Sequence, residues 1–284
     1  MDVNNSDSRN IFCVSIDGSK FSDYGFDITF NELYKPGDKF IICHIFNPEK
    51  KDLPYECQAV TIHSKYQTIC MGKFKSGDYD IIVKEKVNKN AHALDSLNKV
   101  ATENNVSAIV LGFQGYKENK EKSELSKGII YMIKSITIPT FIIKESCLRK
   151  NQESGGYTWV IFIEAQDSKS YDAFQQSLKF IHPNRDNVVG YTLINKFDNS
   201  NALEKDFNVL CNNAQIKKFS FNVLESTKDP IGKQLTDIIN FGKDKADFAV
   251  VGHNVQKYNE IESSPTIDII KNAQSNIFYY SKCK

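Results

Sequence analysis

No apolar run in the sequence approaches the roughly 18 residues that a membrane-spanning helix needs. The first ten residues, MDVNNSDSRN, lack the basic start and apolar core of a secretory signal. A cytoplasmic protein without a membrane partner is expected. Charge of one sign is equally absent: 36 basic and 35 acidic residues leave a net charge of +1, without the positive excess on which nucleic-acid binding rests, so no nucleic-acid partner is expected. The five histidines form no H-x-x-x-H pair and the seven cysteines no C-x-x-C pair, which argues against a metal site. Cys13, Cys43, Cys57, Cys70, Cys147, Cys211 and Cys283 read as scattered, reduced thiols. No serine or cysteine nucleophile stands in a motif with a base, and no carboxylate, lysine and arginine set for phosphoryl transfer can be assigned. We therefore expect no catalytic residue and no enzyme.

What is present is enough apolar residue, 40% of 284, to fill one large or two ordinary domains. The most informative stretch is 106–143. Its run VSAIVL suits a strand buried on both faces, and it stops at Gly112 and Gly115. A polar, lysine-rich segment follows, in which Lys117, Lys120 and Lys122 alternate with Glu118 and Glu121 and read as a solvated loop. Ile129, Ile130, Met132 and Ile133 then recur at helical spacing before Pro139 opens another apolar run. Strand, glycine loop, helix and strand together place free backbone N–H groups and a helix N-terminus where a phosphate could sit.

In chain order, 10–16 (NIFCVSI) reads as a buried strand broken by Asp17-Gly18-Ser19, with a helix after it carrying Phe21, Tyr24, Gly25 and Ile28. Pro36-Gly37 closes that helix, and 39–46 (KFIICHIF) reads as the second strand. The segment 47–77 is poorly legible. An outer strand over 79–86 and a helix with Ala91, Leu94, Leu97 and Ala101 on one stripe complete a βαβαβαβαβ order, which calls for a mostly parallel sheet between helices. After a polar, glycine-ended stretch the pattern restarts: strand 159–164, helix 171–181, strand 187–194, helix 202–215, strand 218–224 and a helix marked by Leu235, Ile238 and Ile239. Ala249-Val250-Val251-Gly252 echoes Ile109-Val110-Leu111-Gly112, and 266–280 (TIDIIKNAQSNIFYY) runs without a gap beside 129–143 (IIYMIKSITIPTFII). This is a tandem duplication, divided as 1–144, a linker at 145–156, and 157–284.

The VSIDGS start at 14–19, the FIICHIF strand at 40–46, the VSAIVLG strand with its glycine loop and the closing IPTFII strand resemble the universal stress protein family in its tandem form. The resemblance covers essentially the whole chain. It implies an α/β fold of two tandem Rossmann-like, adenine nucleotide alpha hydrolase-like domains, each three-layered with a mostly parallel five-stranded sheet. Nucleotide-binding members of the family carry a G-x2-G-x9-G-[S/T] loop. Gly112-x2-Gly115 matches its first half and Ser126 its end, while Leu125 stands in place of the third glycine and Gly128 lies three residues late. The resemblance implies ATP or a related adenine nucleotide in the first domain. Asp17 would meet its adenine or ribose end, Ile45 its adenine, and Gly112, Gly115 and Ser126 its phosphates. By itself Asp17-Gly18-Ser19 also reads as a turn with a helix cap.

The second domain is degenerate. Glu164-Ala165-Gln166 replaces the Asp-Gly-Ser turn, Gly252-His253-Asn254-Val255 keeps one loop glycine, and Ser263-Ser264-Pro265 reads as a remnant helix start. His253 reads as an exposed loop histidine rather than a base. Two functions follow: a non-enzymatic binding or regulatory module holding an adenine nucleotide in the first half, or an interaction protein of a larger assembly, such as a cytoskeletal or ciliary one, with both sites decayed. Protein partners are expected in either case. The two halves are expected to form an intramolecular pseudo-dimer through 140–143 and 277–280.

Overall fold

A computed structural model describes residues 9–50, 52–88, 91–115, 125–144, 156–164, 168–194, 200–252 and 264–281. The loop lysines and glutamates of 117–122, His253 and most of the linker lie outside them. The chain divides by its contacts into one compact unit of Met1–Asn119 with Ser126–Ile138 and another of Lys120–Leu125 with Pro139–Lys284.

The first unit is organised on four parallel strands, β1 (Ile11–Ser15), β2 (Lys39–Phe46), β3 (Tyr79–Glu85) and β4 (Ala108–Gly112), in the order β3-β2-β1-β4. The central strands read as unbroken apolar runs because both faces are covered: Phe12, Cys13, Val14, Ile109 and Val110 have no exposed surface. The covering helices are α1 (Lys20–Ile28), α2 (Ala59–Met71), α3 (Ala93–Glu103) and α4 (Lys127–Ser135). α1 runs on into a π-helical stretch, Thr29–Leu33, which carries Phe30 into an aromatic cluster with Phe26 and Phe74. α2 falls within the poorly legible segment because only Ile62, Tyr66 and Cys70 of it are buried, one narrow row among polar residues.

The second unit contains β5 (Thr140–Ile143), β6 (Thr158–Phe162), β7 (Asn187–Ile194), β8 (Lys218–Glu225), β9 (Phe248–Gly252) and β10 (Asn276–Tyr280). Their order is β5-β10-β9-β6-β7-β8, parallel except for β5 against β10. In that antiparallel pair Ile142 faces Ile277 and Phe141 faces Phe278. α5 (Ser168–Ser177), α6 (Asn201–Asn213), α7 (Ile231–Phe241) and α8 (Pro265–Asn272) complete the unit. The sequence pattern extends α5 to residue 181, but the helix stops at Ser177, whose hydroxyl donates to the Phe174 carbonyl at 2.7 Å. Phe180 and Ile181 remain buried beyond its end.

A buried aspartate precedes the second strand of each repeat. Asp38 accepts the N–H groups of Asn10 and Lys35, each at 2.9 Å. Asp186 accepts the N–H groups of Tyr157 at 2.9 Å and His182 at 2.8 Å, and the Trp159 indole at 3.1 Å. Each carboxylate ties the first strand of its repeat to the turn before the second. The five described cysteines are buried and free of disulfides. Among the described residues no helix is long and apolar enough to cross a membrane.

Candidate functional site

In the order β3-β2-β1-β4 the strand direction of construction reverses between β1 and β4, and a crevice opens outside their carboxyl ends. A cavity of about 470 Å³ lies there, within the usual range for small-molecule sites. Asp17, Ile45, Gly112, Gly115 and Ser126, the five residues singled out in the sequence, all line it.

β1 ends in a turn that the residues themselves dictate. One Asp17 oxygen accepts the Ser19 N–H at 3.0 Å, and Gly18 takes φ +86°. A side chain at Gly18 would also put its Cβ 2.6 Å from the Glu56 carbonyl oxygen. Ser19 caps α1 by accepting the Ser22 N–H at 3.2 Å, and its hydroxyl donates to the Gln114 carbonyl at 3.3 Å. The first turn and the glycine loop are thereby joined. The cap reading of this turn and its place in the cavity therefore hold together.

The two loop glycines have different surroundings. A Cβ on Gly112 would lie 2.8 Å from the Phe21 Cβ and 2.9 Å from its carbonyl carbon, so this glycine lets α1 approach the end of β4. Among the described residues, a Cβ on Gly115 would meet the Asp17 Oδ2, at 2.9 Å. Ser126 is the N-cap of α4, accepting the Ile129 N–H at 3.1 Å. That leaves the N–H groups of Lys127 and Gly128, at the positive end of the helix, unused by the cap. The exposed Lys127 also lines the cavity.

Two histidines that sequence reasoning did not place in the site line it as well. His44, in β2, has its Nδ1 2.7 Å from the Ile16 carbonyl oxygen. A carbonyl only accepts, so Nδ1 carries the proton and Nε2 is an acceptor; that atom is buried and meets no donor among the described residues. Burial pushes the His44 pKa down against the opposing pull of the Ile16 bond and of Asp17, which favours the neutral ring. His92 caps α3, its Nδ1 accepting the Leu94 N–H at 3.2 Å. The signal for His44 was its position beside Ile45 on the second strand; for His92 it was the H-x-x-D spacing with Asp95, which forms a capping box. The Cys57 thiol also lines the cavity, and burial raises its pKa, which disfavours the thiolate.

No family model matches the chain, and no curated protein matches it by sequence. Solved structures do. A universal stress protein from Archaeoglobus fulgidus DSM 4304 superposes with a TM-score of 0.66 at 12% identity, covering 97% of this chain and 100% of that one. The fold is the universal stress protein fold. A putative universal stress protein from Pseudomonas aeruginosa UCBPP-PA14 superposes with a TM-score of 0.60 at 9% identity, over 96% of this chain and 94% of that one. A functionally unknown protein from Pseudomonas aeruginosa PAO1 gives 0.61 at 9% identity, over 96% and 93%. At such identities the likeness is one of fold.

The same universal stress protein framework makes the second unit a direct internal comparison. Glu164 stands where Asp17 does, its N–H reaching the Ser170 hydroxyl at 3.2 Å as that of Asp17 reaches the Ser22 hydroxyl at 3.4 Å. Gly252 repeats the packing role of Gly112: a Cβ there would lie 2.3 Å from the Lys169 carbonyl oxygen. The helix start differs. Ser264 caps α8, but Pro265 at its first position has no N–H, and the Thr266 hydroxyl donates to the Gly252 carbonyl at 3.1 Å.

Proposed function

We propose that the first unit is a non-catalytic binding module for an adenine nucleotide, held in the cavity at the carboxyl ends of β1 and β4. The observation that carries this reading is the convergence of Asp17, Ile45, Gly112, Gly115 and Ser126 on one cavity that also contains the N-terminal end of α4. Asp17 would accept from the ribose or base, and Ile45 would lie against the ring. The amides of Lys127 and Gly128 would take a phosphate oxygen, and the Lys127 ammonium would balance its charge. Buried His44 Nε2, without a donor, supports a ligand that brings an N–H group.

No hydrolysis is proposed. Burial raises the pKa of the Cys57 thiol, which disfavours a thiolate nucleophile in the cavity. The test is isothermal titration calorimetry with ATP, ADP, AMP and GTP on the wild type and on Asp17→Ala. Adenine nucleotides are expected to bind the wild type and to bind Asp17→Ala about tenfold or more weakly. Equal affinity for the two proteins, or no heat with any nucleotide, would contradict the assignment.

A further inference from the structure

His92 belongs to neither the glycine loop nor the turn after β1, yet it stands at the phosphate end of the cavity. Its tautomer is fixed by its own cap: Nδ1 accepts the Leu94 N–H at 3.2 Å, so the neutral ring carries its proton on Nε2. Its orientation is fixed too. The ring stacks on Tyr131 with centroids 4.5 Å apart and 6° between planes. The Tyr131 hydroxyl donates to Asp95, whose other oxygen accepts the His92 backbone N–H at 2.7 Å. The result is a rigid donor, because α3 and α4 hold the ring between them. Nε2–H has no acceptor among the described residues. The His92 Cε1, bonded to Nε2, lies 3.8 Å from where a Cβ on Gly128 would sit, so the ring borders the first turn of α4.

We propose that His92 Nε2–H is a phosphate donor, acting with the Lys127 and Gly128 amides. The inference rests on the reading of the cavity as a site for a phosphorylated adenine nucleotide. A phosphate oxygen would accept from Nε2–H without disturbing the cap at Nδ1, and the bond is charge-assisted from the acceptor side. Burial and the nearby Lys86 ammonium push the His92 pKa down while Asp95 opposes them, which favours the neutral ring. The donor therefore comes from α3, and its strength does not depend on a protonated ring.

His92→Asn separates the two roles of the residue. Asparagine is among the best N-caps, so its side-chain oxygen takes over from Nδ1, but it places no donor at the Nε2 position. The Kd values for ATP and for adenosine, measured by calorimetry on both proteins, are expected to diverge. ATP should weaken about tenfold in the variant, corresponding to ~1.4 kcal/mol, with adenosine unchanged. Unchanged ATP affinity, or equal weakening for both ligands, would overturn the proposal while leaving the nucleotide reading standing. A wild type that binds neither ligand would overturn both. The second readout needs no variant: the ¹⁵N signal of His92 Nε2 should move when ATP is added and stay still with adenosine. Its failure to respond to ATP would reject the proposal even if the variant did not fold.

Discussion

Gly112 and Gly115 look alike in the sequence, and the space around them sets them apart. A methyl group at Gly112 presses on Phe21 and on backbone, neither of which can rotate away. Gly112→Ala should cost about 1–3 kcal/mol, the usual range for overpacking, read as a shift of the urea midpoint by circular dichroism. At Gly115 the obstacle among the described residues is the end of the Asp17 side chain, so Gly115→Ala should change stability by less than about 0.5 kcal/mol. Similar losses at both positions would show that the loop packs more tightly than its contacts indicate. The histidines make a pH prediction with a definite sign. The folded-state pKa values of His44 and His92 lie below the ordinary 6.5, so the unfolded chain binds more protons there, and stability is fully present above about 6.5 and falls as the pH drops through that value. Urea midpoints between pH 7.5 and 5.5 should decline, and His44→Gln should flatten part of that decline. A midpoint that rises on acidification would contradict the burial of these rings.

Among the elements, β5 shows most clearly what periodicity conveys and what it omits. The apolar run after Pro139 marks it as a strand, yet its sequence does not say which residues it packs on. Phe141 makes edge-to-face contacts with Trp159, Phe180, Phe248 and Phe278, with ring centroids 6.4, 5.2, 5.9 and 5.0 Å away. Phe141→Asp should therefore destabilise the second unit by at least about 3 kcal/mol. Trp159 is the single tryptophan of the chain, so its emission during urea unfolding follows that unit directly. An unchanged tryptophan transition would show that the ring is dispensable to it. Most strands and helices were legible because buried strands are apolar throughout and the helices repeat their apolar residues at three and four positions. The clamps at Asp38 and Asp186 were not, since a carboxylate bonding backbone 28 or 29 residues away leaves no local pattern. α2 was obscure for a related reason: its buried row is one residue wide.

On the scale of the whole molecule the duplication was legible in the matched runs at 129–143 and 266–280. The motif named five residues that line the cavity, but not its histidines, because His92 reaches the cavity through the packing of α3 beside α4. The repeats have since diverged at the helix start. The Ser126 side chain at α4 takes the Ile129 N–H and not those of Lys127 and Gly128, whereas Pro265 removes one N–H at α8 and the Thr266 hydroxyl bonds the Gly252 carbonyl. We propose that one nucleotide binds per chain, in the first unit. The most direct test is native mass spectrometry of the full chain with excess ATP, on the wild type and on Gly115→Arg, whose side chain would fill the space beside Asp17. A single nucleotide adduct is expected on the wild type and none on the variant, with the charge-state distributions of the two proteins alike. Two adducts on the wild type, or one that persists in Gly115→Arg, would contradict a single nucleotide site between β1 and β4.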